Sequence, residues 1–152
     1  MFTVVLFEPQ IPPNTGSIAR LCGANNVKLD VVGELGFDLS DKKLRRAGLD
    51  YWEYINWEYH PNLKEYCDIL IKKCNFHLLT TKSTIAYTSR QFQKNDYLIF
   101  GNETAGISED FLHAQWDRAC TIPMVNQHIR SLNLAASVGI VLYEAIRQVN
   151  GK

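Results

Sequence analysis

No G-x-G-x-x-G occurs in this 152-residue chain, so the usual dinucleotide-binding fingerprint is missing. No C-x-x-C pair occurs either, and no Cys/His cluster has zinc spacing, which leaves no sequence case for a metal. The cysteines, Cys22, Cys67, Cys74 and Cys120, read instead as buried, reduced thiols of a cytoplasmic protein. No apolar run is long enough to span a membrane. The opening MFTVVLFEPQ lacks the basic start and small-residue cleavage site of a signal peptide. Charge of one sign is missing as well: 16 basic and 16 acidic residues cancel. A nucleic-acid partner would therefore be met by local patches or by a dimer, not by an overall field. Repeats, low-complexity segments and linkers are absent, and the length suits one domain, residues 1–152, with a real core.

What is present is an ordinary globular balance, 46% hydrophobic and 21% charged, arranged around one stretch, YLIFGNETAGIS. Tyr97 to Phe100 is apolar, aromatic and β-branched, the pattern of a short buried strand. A glycine-bounded polar turn follows, and Ser108 with Glu109 and Asp110 reads as a capped helix start. Strand, glycine turn, helix is where an open α/β sheet places its ligand, and Glu103 would stand at that edge. Gly101 and Gly106 have P-loop spacing, but Ile107 stands where that motif needs lysine. The alternative is a plain strand-to-helix turn with a solvated glutamate.

Around this stretch the chain alternates strands and helices, which predicts an α/β fold with a mostly parallel sheet flanked by helices. Strands are expected at Phe2 to Phe7, Lys28 to Val32, around Ile55, Trp57 and Tyr59, at Phe76 to Thr80, and near Thr121-Ile122. Pro9, Pro12 and Pro13 predict an extended loop, after which Asn14 or Thr15 caps a helix running to Ala24. Asp41 to Ala47 reads as a short basic helix ended by Gly48, and Leu63 to Lys73 as an amphipathic one. The closing helix, from about Ser131 to Val149, is apolar nearly all round through Leu142. It should be buried on several sides, and a subunit interface explains that in so short a chain.

Three polar clusters fall at strand ends or helix starts. They are Asn14-Thr15-Gly16 with Arg20 further along, Gly101-Asn102-Glu103, and Ile122-Pro123-Met124 followed by Arg130-Ser131-Leu132-Asn133. Each has a plain structural reading: Asn14 or Ser131 as a helix cap, Arg20 as a surface ion-pair partner, Leu79, Ile122 and Leu132 as core.

Taken in order, NTGSIAR, FGNETAGI and IPM…RSLNLAASVGIVLYEA resemble the three motifs of the SPOUT-class RNA ribose 2′-O-methyltransferases. The short length, KKLRRAGLDYWEY and LLTTK resemble the small tRNA (cytidine/uridine-34-2′-O)-methyltransferase subgroup. The resemblance implies a parallel sheet whose C-terminal segment is threaded into a trefoil knot, a topology sequence pattern alone would not justify. It implies a homodimer, S-adenosylmethionine as cofactor, and the wobble nucleotide of the tRNA anticodon stem-loop as substrate. By matching positions, Leu79, Gly101, Ile122, Ser131 and Leu132 line the cofactor pocket. Arg20, Asn14, Glu103, Ser131 and Asn133 match catalytic positions. There Arg20, always protonated, would hold a phosphate and stabilise developing alkoxide charge, with Glu103 orienting it by a bidentate pair. Lys42, Lys43, Arg45, Arg46 and Arg130 would grip RNA phosphates, with Tyr and Trp nearby for stacking. Other readings are a related enzyme acting on ribosomal RNA and a non-catalytic RNA-binding module resting on the Lys42–Arg46 patch, which on its own reads as a solvated helix face.

Overall fold

A computed structural model describes residues 1–151, leaving out the side chains of 47–50. The strands are β1 (Thr3–Phe7), β2 (Lys28–Val32), β3 (Trp57–His60), β4 (Phe76–Leu79), β5 (Tyr97–Phe100) and β6 (Ala119–Cys120). The helices are α1 (Pro12–Ala24), α2 (Lys42–Gly48), α3 (Leu63–Lys73), α4 (Glu109–Ala114) and α5 (Leu134–Val149). The strands form one six-stranded sheet in the order β3-β2-β1-β5-β4-β6, all neighbours parallel.

Both faces of the sheet are covered, which is why its central strands are apolar without interruption. Val4, Leu6, Leu29, Val31, Leu98 and Phe100 point to the side of α1 and α5; Val5, Phe7, Val32, Leu78 and Ile99 point to the side of α3 and α4. On α5 the stripe Val138, Val141, Leu142 and Ala145 is fully buried at i, i+3, i+4, i+7 spacing. Within one chain the burial expected on several sides is limited to that stripe. The outer face keeps Ile140 38% and Tyr143 53% exposed.

Several boundaries differ from expectation for identifiable reasons. Helix α1 begins at Pro12, with prolines in its first two positions and Ile11 as its cap. Proline lacks only an N–H that a first turn leaves unbonded, so the pair opens the helix instead of preceding it. Neither Asn14 nor Thr15 is the cap. Helix α5 begins at Leu134, and its cap is Asn133, not Ser131: Asn133 Oδ1 accepts from the Ala136 N–H at 3.1 Å. The aromatic stretch splits into a 3-10 turn, Leu49–Tyr54, and β3. There Trp52 and Trp57 meet edge to face with centroids 5.6 Å apart.

The chain is threaded at β6. On one side β6 pairs with β4, Leu78 opposite Ala119 and Leu79 opposite Cys120. On the other side Thr121 N–H donates to Ile85 O and Tyr87 N–H donates to Thr121 O, both at 2.8 Å. Ser83 Oγ and the Arg90 guanidinium also donate to the Ala119 carbonyl. Residues 119–121 thus lie between β4 and the connection that leaves β4 for β5. The chain arrives from α4 on one face of the sheet and departs to α5 on the other, passing through that connection. This threading is the C-terminal knot that the resemblance implied.

Candidate functional site

A cavity of about 550 Å³ opens at the carboxyl ends of β4, β5 and β6. Its walls come from Ile11 and Asn14 at the start of α1, the segment after β4 (Leu79 to Lys82), the turn after β5 (Phe100 to Ile107) and the stretch from Thr121 to Ser137. The knot brings the last two together, because β6 ends beside Leu79 and releases the chain directly over the β5 turn.

One chain of hydrogen bonds joins the three polar clusters. Glu103 Oε1 accepts from Gln10 N–H at 2.9 Å, and Oε2 from Ile11 N–H at 3.0 Å and Asn14 Nδ2 at 3.2 Å. Asn14 Oδ1 in turn accepts from Asn133 Nδ2 at 3.2 Å, across 119 positions of sequence. The polarity of this chain is forced. A carboxylate can only accept, so Asn14 presents its NH₂ to Glu103 and its oxygen to Asn133; the helix N–H takes the remaining Asn133 oxygen. Glu103 also sets a negative charge at the amino end of α1, where the helix dipole favours it.

The β5 turn is held by its own atoms. Asn102 Oδ1 accepts from Thr104 N–H at 3.1 Å and Ala105 N–H at 2.6 Å. Gly106 has φ +68°, and a Cβ on Gly101 would lie 2.2 Å from the Gly106 carbonyl carbon. Gly101 is therefore demanded by the turn folding back on it, beyond any approach of a ligand.

The cavity collects Leu79, Gly101, Ile122, Ser131 and Leu132, together with Asn14, Glu103, Asn133 and Arg130. It does not collect Arg20. That residue lies on the exposed face of α1, its guanidinium 5.4 Å from the centroid of the Tyr51 ring. The expected Glu103–Arg20 bidentate pair is corrected accordingly: the carboxylate is occupied by Gln10, Ile11 and Asn14. Lys42, Lys43, Arg45 and Arg46 are exposed on α2, outside the cavity, anchored by the buried Leu44. Trp52 serves that helix structurally, donating Nε1–H to Arg45 O at 3.3 Å with the Arg45 guanidinium over its ring at 5.5 Å.

Sequence reasoning gave Lys82 no role. It lines the cavity and pairs with Glu109 at 3.0 Å, tying the β4 segment to α4. Burial pushes the Cys22 thiol up to about 12 and the Cys67 and Cys120 thiols up to about 11. Those three are protonated at neutral pH and unsuited to nucleophilic work.

This fold and cleft define a knotted methyltransferase, and the chain belongs to the SpoU rRNA methylase family, whose pattern matches residues 1–143. Within that family its relatives include enzymes named for one tRNA position. It is 44% identical over 150 residues to the tRNA (cytidine(34)-2'-O)-methyltransferase of Methylovorus glucosotrophus, covering 97% of this chain and 96% of that one. The enzyme of the same name from Escherichia coli K12 is 42% identical over 150 residues, covering 98% and 94%. A solved structure described as "Structural insights into the 2-OH methylation of C/U34 on tRNA" matches with TM-score 0.93 at 37% identity, covering 100% of this chain and 98% of that one. An AdoMet-bound rRNA methyltransferase from Sinorhizobium meliloti matches with TM-score 0.84 at 26% identity, covering 96% of this chain and 56% of that one. No helix among the described residues is long and apolar enough to cross a membrane.

Proposed function

We propose that this chain is an S-adenosylmethionine-dependent enzyme that methylates the ribose 2′-hydroxyl of the wobble nucleotide, C34 or U34, in the anticodon loop of tRNA. The observation that carries the reading is the single cleft in which Asn14, Glu103 and Asn133 are hydrogen bonded together. Near-full-length similarity to enzymes named for that reaction supports it.

The cleft suits the cofactor. Its volume, about 550 Å³, lies within the range of about 300–1,000 Å³ usual for small-molecule sites. Leu79, Ile122 and Leu132 offer apolar walls for an adenine ring, and the Gly101 turn offers backbone polar groups. When bound, S-adenosylmethionine supplies an electrophilic methyl group on a sulfonium. The residues of the chain supply alignment and charge. Ser131 and Asn133 position the ribose or the methionine end. Glu103 is a positioning residue that holds the β1 loop and Asn14 in place. The Arg20 guanidinium anchors the neighbouring phosphate and stabilises the oxyanion as the 2′-hydroxyl loses its proton to solvent.

Arg20 stands outside the cleft of its own chain, so it serves the cleft of a second copy in a homodimer. The exposed Ile140 and Tyr143 on α5 give that dimer an apolar face beside α1, where Tyr143 OH already accepts from Asn25 Nδ2 at 3.2 Å. Lys42, Lys43, Arg45 and Arg46 contact stem phosphates, and Arg130 contacts RNA at the rim of the cleft. The cytoplasm, where tRNA and reduced thiols coexist, is the compartment this reading requires.

The decisive experiment incubates the protein with labelled S-adenosylmethionine and either unmodified tRNA or ribosomal RNA, then maps the product by mass spectrometry. The expected product is tRNA carrying one 2′-O-methyl group at position 34. Methylation confined to ribosomal RNA, or no transfer to any RNA by folded, cofactor-bound protein, would overturn the reading.

A further inference from the structure

A second cavity, of about 310 Å³, lies on the α3 face of the sheet and shares no lining residue with the cleft. Asp30 of β2 and Glu58 of β3 are register partners beside it, and His60 follows two positions along β3. Asp30 is 2% exposed. Among the described residues, four buried side-chain polar atoms lack a hydrogen-bond partner. Two of those four, Asp30 Oδ1 and His60 Nε2, face each other 3.3 Å apart. Buried polar atoms left without a hydrogen bond mark a position where an ion can bind.

We infer that Asp30, Glu58 and His60 form a binding site for a zinc-class divalent cation. One ligand atom from each of the three residues falls within 4.8 Å of the others. His60 Nε2 stands 3.3 Å from Asp30 Oδ1 and 3.7 Å from Glu58 Oε2. Bonds of about 2.0–2.1 Å to a tetrahedral zinc place its ligand atoms about 3.3 Å apart. The His60–Asp30 separation already matches that spacing, and Glu58 closes on the ion by a side-chain rotation. One nitrogen and two carboxylates are a zinc-type donor set, and the cavity leaves room for water in the fourth position.

The surroundings complete the site. Tyr66 OH donates to Asp30 Oδ2 at 2.7 Å, which holds the carboxylate and leaves Oδ1 for the metal. Lys28 Nζ lies 3.3 Å from Asp30 Oδ1 and 3.1 Å from Glu58 Oε1. Its ammonium is the cation a metal must displace, and at one-third exposure its side chain can swing into solvent. The ligands come from adjacent strands, so no linear zinc spacing announces them.

The test titrates the full chain with Zn²⁺ by calorimetry in a non-chelating buffer, then with Co²⁺ as a spectroscopic probe. One equivalent of Zn²⁺ should bind. His60→Gln should abolish binding, Tyr66→Phe should weaken it by about tenfold, and Lys28→Met should tighten it. Thermal melting of each variant confirms folding. Cys74 lines the same cavity, so the Co²⁺ spectrum should lack a thiolate charge-transfer band and Cys74→Ser should bind as the parent does. No stoichiometric binding, unchanged affinity in His60→Gln, or a thiolate band would overturn the inference.

Discussion

The carboxyl end of the sheet and the outer face of α1–α2 carry the same kinds of polar residue in opposite conditions. At the sheet end three side chains are interlocked: Glu103 accepts from two backbone N–H groups and Asn14, and Asn133 caps α5 while donating to Asn14. On the α1–α2 face Arg20, Lys42, Lys43, Arg45 and Arg46 stand exposed, and Arg20 and Arg45 rest on aromatic rings. These bonds in the first region are all made within a single chain. The second presents its charge outward to solvent. Distance in sequence does not separate the two regions, since Arg20 and Asn14 share one helix.

Mixing variants tests that contrast most sharply. Arg20→Ala alone should lower methyl transfer by about 100- to 1,000-fold, the usual cost of losing an oxyanion-stabilising group, while leaving cofactor binding intact. Ser131→Ala homodimers should also be impaired. Heterodimers of the two should recover activity if Arg20 works in the partner's cleft, because one of the two clefts is then complete; inactive heterodimers would place Arg20 in its own chain's cleft. Next in size, Glu103→Ala should destabilise the fold by about 1–3 kcal/mol in denaturant melts, since it leaves the Gln10 and Ile11 N–H groups and the Asn14 amide without their acceptor. Asn133→Ala should cost about 0.5–2 kcal/mol through loss of the α5 cap. The smallest effect belongs to the basic face. Lys42→Ala with Lys43→Ala should leave stability and cofactor affinity unchanged, weaken tRNA binding, and flatten its dependence on salt. A salt dependence identical to that of the parent would remove α2 from the RNA surface.

Elements whose pattern is local were legible in the chain. Leu63–Lys73 was readable because its amphipathic periodicity lies within one segment, and Tyr97–Phe100 because four apolar residues end at a glycine. Of the cleft, the Gly101–Glu103 turn was legible from its strand–glycine–helix pattern, and the partners it meets only through resemblance. Nothing near Asn14 announces Asn133, because a hydrogen bond across 119 positions leaves no local periodicity. Two local signals misled. Proline at 12 and 13 reads as loop until one sees that a first helical turn tolerates it. Ser131 and Asn133 are both good caps, and the backbone that decides between them is set by the threaded segment before it. The Glu103–Arg20 pair failed because two opposite charges in one motif set need not meet. The backbone N–H groups of Gln10 and Ile11 had a prior claim on the carboxylate.

The opening between β4 and residues 85–87 is also a manufacturing constraint. It admits a single extended strand, so everything downstream of Cys120 must be passed through it, or it must close around that tail, while the tail is still slender. Any folded cargo fused after α5 becomes a bead too wide for the eye of the needle. Maturation should slow with the size of such a C-terminal fusion and stay indifferent to the same cargo placed before Met1.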